Sequence, residues 1–172
     1  MIFDTRNSNR CSNQIEMKNL VFTIAICVFL CLTFGLFSGF STINAVLSWY
    51  PMIEKPSWNP PNWVFGPVWT GLYMLMGISL GMVWNRRKEN KNNAILWFSI
   101  QFALNLLWSI IFFNLHQIGL ALIEILVLLG SIVIMIRFFY KISPVSAYLQ
   151  IPYLLWVCFA SVLNGTIWYL NA

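Results

Sequence analysis

The chain has 172 residues, 59% of them apolar and only 9% charged. A soluble domain carries about a quarter charged residues, so this balance excludes an ordinary soluble protein and points to a membrane protein. The net charge of +5 does not indicate nucleic acid, because the basic residues sit in loops between apolar runs, where membrane topology accounts for them.

The first eighteen residues, MIFDTRNSNRCSNQIEMK, are polar and mixed in charge, and read as a disordered tail. The apolar run that follows is too long for the h-region of a signal peptide. A spanning helix needs about 20 mostly apolar residues. Five segments qualify, at roughly 20–43, 63–84, 94–114, 118–137 and 147–170. The fold class expected is therefore all-α, an integral membrane bundle of five transmembrane helices over residues 19–172, with a long first loop at 44–62. The other connections are short: NRRKENKNN (85–93), His116-Gln117 and KISPVS (141–146). Short connections make neighbouring helices antiparallel. If the tail lies on side one, that side gathers Arg6, Arg10, Lys18, Arg86, Arg87, Lys88, Lys91, Arg137 and Lys141, and the other side only Lys55. The bias places the N-terminus in the cytoplasm and the C-terminus outside, in a bacterial cell membrane; a eukaryotic source would put the protein in an organelle membrane.

The first loop enters the second helix through KPSWNPPNWVFGPVW (55–69), with three Trp and four Pro in fifteen positions. Each proline fixes its own φ and biases the residue before it toward extended backbone, so the loop is stiff and cheap to order. Asn62 is the expected N-cap of the second helix. Beyond it Phe65, Trp69 and Tyr73 recur every fourth residue and share one face. The third helix carries Gln101, Asn105, Trp108, Phe112 and His116 on one stripe, and the fifth span carries Pro152, Trp156, Ala160 and Asn164. Amides inside hydrocarbon are costly unless partnered, so these faces point inward. An inward, aromatic, sparsely polar cavity suits a flat hydrophobic ligand.

Blander readings stand beside this one. Trp63, Trp84, Trp97 and Trp168 lie at helix ends, where an interfacial belt explains them. Gln101 and Asn105 serve equally well as interhelical glue. His116 reads as a solvated turn residue. Glu124 is the only acid in a membrane core; it is either functional or, while protonated, a hydrogen-bond donor to a neighbouring helix. Gly35/Gly39 and Gly77/Gly81 form two GxxxG pairs, each either a dimer face or packing within the bundle. The four Cys show no metal-ligand or disulfide spacing, no metal site is expected, and no hydrolase or nucleotide motif occurs.

Three stretches, WYPMIEKPSWNPPNWVFGPVWTGLY (49–73), LNLLWSIIFF (104–113) and IPYLLWVCFASVLN (151–164), closely resemble the tryptophan-rich sensory protein and translocator protein family, also called the peripheral-type benzodiazepine receptor family. The resemblance runs from about residue 20 to 170. It implies a five-helix membrane bundle, commonly a homodimer, that binds porphyrins such as protoporphyrin IX, sterols and benzodiazepine-site ligands in a pocket closed by the first loop, with no resident cofactor and no nucleic-acid partner. Carried over by position, the pocket would comprise Trp49, Tyr50 and Pro56 from the loop, and Trp69, Asn105, Trp108, Trp156 and Ala160 from the helices. The expected function is that of a receptor or sensor for porphyrins, with transport in view. The alternative that the resemblance implies is an enzyme for light-dependent degradation of protoporphyrin, with Trp69 and Trp156 as its catalytic pair. The sterol motif of animal members ends in a base after its Tyr; here Tyr169 is followed by Leu170, Asn171 and Ala172, which favours porphyrin over cholesterol.

Overall fold

The structure is a computed structural model that describes the backbone of residues 5–172 and the side chains from Met17 onward. It contains α1 (Thr5–Ser48), α2 (Asn62–Trp84), α3 (Lys91–Ser109) running into a π-helical turn (Ile110–Asn114), α4 (Ile118–Ile142), the short α5 (Pro144–Tyr148) and α6 (Ile151–Asn171). Among the described residues, five helical stretches are long and apolar enough to cross a membrane, with α5 and α6 counting as one. The protein is an all-α, multi-pass membrane bundle. Arg6, Arg10 and Cys11 lie outside the described side chains, as do residues 1–4 outside the described backbone.

Several boundaries differ from those expected. The helical backbone begins at Thr5, within the segment read as a tail; nothing between residues 5 and 18 is Gly or Pro. At its other end α1 continues to Ser48, because Asn44–Ser48 also contains no breaker. The first loop is therefore 49–61 rather than 44–62. Its second residue is Tyr50, whose conformation Pro51 restricts. Asn62 does not cap α2: Pro61 holds the cap position, without a side-chain hydrogen bond, and Asn62 is the first helical residue. α4 extends past Arg137 to Ile142, and the expected KISPVS loop collapses to Ser143. Ser143 caps α5, its Oγ accepting from Ser146 N–H at 3.4 Å, and Pro144 takes the first helical position. Its missing N–H costs nothing there.

The helices form a ring. α1 packs chiefly on α2 and also meets α3 and the π-helical turn, α3 packs on α4, α4 on α6, and α2 returns to α5. The α1–α2 seam is close because α2 presents Gly77 against the backbone of Val28 and Gly81 against that of Ile24. This pair serves contact within one chain. The main apolar core, built around Met76, Val83, Ile132, Met135, Phe139 and Tyr153, fills the end of the ring that α5 closes. A second cluster, with Tyr50, Ile111, Phe112, Ala121, Leu163 and Ile167, lies beneath the first loop. Phe22, Phe29 and Phe37 of α1 and Ile123 and Val127 of α4 face outward, where hydrocarbon would surround them.

Candidate functional site

Between the two clusters the helices stand apart around a cavity of about 510 Å³. Its walls come from α1, α2, the end of α3 with its π-helical turn, and α6; Tyr50 reaches it from the loop. No Lys, Arg, Asp, Glu or His is in the lining.

The α2 wall is the Phe65–Trp69–Tyr73 face. Trp69 stacks on Tyr73 at 5.5 Å between centroids and meets Tyr153 edge-on at 6.4 Å. Phe65 meets Trp156 of α6 edge-on at 6.0 Å, closing the cavity between those two helices. Edge-to-face and offset pairs at these distances follow the ring quadrupole, so the wall is a set of fixed planes. Tyr73 is held from behind, its hydroxyl donating to Asn105 Oδ1 at 2.8 Å. From α3, Trp108 stacks on Phe112 at 5.1 Å and donates Nε1–H to Asn164 Oδ1 at 3.1 Å. Asn164 in turn donates to the Ile118 carbonyl at 3.0 Å, tying α3, α4 and α6 together at one residue. The wider π-helical turn brings both Phe112 and Phe113 to the cavity.

The roof is tied down at several points. The Tyr50 hydroxyl donates to Asn59 Oδ1 at 2.9 Å, across the loop. Burial pushes the Tyr50 phenol up from its ordinary range, and the Asn59 bond opposes that shift. Lys55 donates to the carbonyls of Tyr50 and Ile53, both at 2.7 Å. Asn171 of α6 takes Glu54 N–H at 3.0 Å and returns a bond to the Glu54 carbonyl at 2.9 Å. Trp49 stacks on His116 at 4.3 Å, and Trp58 meets Phe159 edge-on at 5.9 Å.

Of the residues expected at the site, Tyr50, Trp69, Trp108, Trp156 and Ala160 line the cavity. Trp49, Pro56 and Asn105 are not in the lining. Trp49 packs from outside, edge-on to Phe112 at 5.7 Å. Asn105 lies behind Tyr73, and Pro56 belongs to the first loop. His116 is exposed, as a turn residue should be, but it is Trp49's stacking partner and adopts φ 55°. The contribution of α1 was not anticipated. Gly35, Ser38, Gly39 and Thr42 line the cavity, and Gly35 has no Cβ because the Tyr73 ring occupies that space. Small residues three and four apart on an apolar helix were the available signal.

The sequence profile of the TspO/MBR family matches residues 27–170. The chain is 41% identical over 158 residues to the tryptophan-rich protein TspO of Chlorobaculum tepidum, covering 90% of this chain and 99% of that protein. It is 39% identical over 125 residues to the human translocator protein, covering 71% and 74% respectively. It is 36% identical over 126 residues to the protein CrtK of Rhodobacter capsulatus, covering 72% and 75%. A profile match over most of the chain, with relatives at this identity over most of their own length, establishes that the chain belongs to the TspO/MBR family.

Proposed function

We propose that this protein is an integral-membrane receptor for porphyrins, binding one flat tetrapyrrole among Trp69, Trp108 and Trp156 beneath the first loop. The observation that carries the reading is the cavity itself. Its volume of about 510 Å³ falls within the range of ligand sites, its walls are fixed aromatic planes, and Tyr73 and Trp108 are already oriented by bonds behind them. A macrocycle that stacks on indole and phenol faces gains contact without ordering the wall, because the wall is ordered beforehand. The proposal takes the N-terminus as cytoplasmic, from the distribution of Lys and Arg, and the membrane as a bacterial cell membrane.

The test is a titration in nanodiscs, in the dark, with protoporphyrin IX, comparing wild type with Trp69→Phe/Trp156→Phe. Saturable binding near one porphyrin per chain, weakened in the double variant, supports the reading. Partitioning that is equal in both proteins and in empty discs refutes it. A second reading is favoured by one observation: Trp69 and Trp156 both line the cavity, from facing helices. On that reading the bound porphyrin is degraded under light. Continuous illumination with loss of the porphyrin spectrum, abolished by Trp156→Phe alone, would make the protein an enzyme; bleaching identical in the variant would leave it a receptor.

A further inference from the structure

Glu124 takes no part in the cavity. It is the seventh residue of α4, its side chain is 8% exposed, and both carboxyl oxygens are buried without a hydrogen-bond partner among the described residues. Ile123, Leu126 and Val127 on either side face outward, so the carboxyl is turned into the bundle. Of the two roles open to it from sequence, a hydrogen bond to a neighbouring helix finds no partner among the described residues.

The other buried polar side chains among the described residues are uncharged. α3 brings the buried amides Gln101 and Asn105, and Gln101 Nε2 also lacks a partner while its Oε1 accepts from the Tyr153 hydroxyl at 2.9 Å. Tyr153 of α6 lies within electrostatic reach of Glu124. Lys91 stands at the far end of α3, and α5 carries no charged side chain. On α4 itself Arg137 and Lys141 are thirteen or more residues away, about 20 Å along the axis. An ionised carboxylate without a counter-charge in such a place costs several kcal/mol, so this conformation requires the neutral acid. A neutral acid still needs an acceptor for its O–H, and Gln101 Nε2 still needs one for its N–H. Water supplies both roles and is held where two to four polar atoms converge.

We propose that Glu124 is an intramembrane proton-binding site, its carboxyl holding an exchangeable proton and hydrated by internal water. The site is separate from the porphyrin cavity and does not rest on that reading. Infrared spectroscopy of the full chain in nanodiscs tests it without any porphyrin. A protonated-acid C=O band at neutral pH reports a carboxyl protected from water. The expected result is one such band in wild type that shifts in D₂O, disappears in Glu124→Gln and moves in Glu124→Asp. Glutamate labelled with ¹³C in the wild-type chain must shift the same band, which keeps the test valid if Glu124→Gln does not fold. Absence of the band at neutral pH, its survival in a folded Glu124→Gln, or its failure to exchange with D₂O would each overturn the proposal.

Discussion

Gly81→Ala tests the seam on which the α1 wall of the cavity depends. A Cβ at Gly81 would stand 2.7 Å from Ile24 Cα and 3.1 Å from Ile24 N, against the 3.5–4.0 Å that carbon contacts favour. The neighbour is backbone, so no rotamer relieves the contact and α1 must retreat by about 1 Å. Overpacking of this kind costs about 1–3 kcal/mol. Alanine also raises helix propensity by up to about 1 kcal/mol, which would mask part of the loss. Gly130→Ala supplies the correction: it is also mid-helix, on α4, with nothing within 4 Å of the added Cβ. The difference between the two variants isolates the contact, about 1–3 kcal/mol, or roughly 5- to 150-fold in the unfolding equilibrium. Unfolding in mixed micelles against rising SDS, followed by tryptophan fluorescence, measures both. Equal stability of Gly81→Ala and Gly130→Ala would refute the account of α1 as seated on the glycines of α2.

Three further outcomes follow from the site. Tyr73→Phe leaves the buried Asn105 oxygen without its 2.8 Å donor and should cost about 1 kcal/mol in the same assay, with weaker porphyrin binding because the Tyr73 ring is no longer held from behind. Asn171→Ala removes both bonds to the Glu54 backbone, and amide exchange at Glu54 should quicken about tenfold while exchange in the α4 core is unchanged. The Tyr50 phenol is raised by burial, so the folded loop favours its neutral form; that contribution is full below the ordinary tyrosine range near about 10 and is lost as pH climbs through the folded value. The tyrosinate absorbance lost in Tyr50→Phe should accordingly titrate above that of a free tyrosine amide, and a coincident curve would contradict the burial argument.

The spans were legible because about twenty apolar residues in a row have one interpretation. Their ends were not. Asn44–Ser48 and Phe138–Ile142 are neither strongly apolar nor broken by Gly or Pro, and hydropathy stops before the hydrogen-bond ladder does. Ser143-Pro144 carried a cap-and-proline start that a loop reading passed over. Within the site, four-residue spacing was enough to bring Phe65, Trp69 and Tyr73 to one wall and Trp156 and Ala160 to another. It did not separate lining from support: Asn105 shares its stripe with Trp108, yet one backs Tyr73 and the other meets the cavity. α1 escaped notice because the small residues it brings to the cavity, Gly35, Ser38, Gly39 and Thr42, carry little hydropathic signal.

Lys55 links the topology to the site. It is the single base that the sequence assigns to the side opposite the other nine, and by charge alone it is an exception. The structure shows what its ammonium does locally. It binds the Tyr50 and Ile53 carbonyls at 2.7 Å, approaches that of Pro51 at 3.3 Å, and sits 5.1 Å from the centre of the Tyr50 ring. Charge-assisted bonds are the stronger class, and here they gather carbonyls that a proline-rich turn leaves without amide partners. The cation thus acts as a staple for the segment carrying Tyr50, and Tyr50 is the loop's side chain in the cavity lining. Prolines make the roof stiff, Lys55 closes it on itself, Asn171 fastens it to α6, and the Trp49–His116 stack fastens it to the α3–α4 turn. Each fastening joins a different element, so releasing one leaves the others in place.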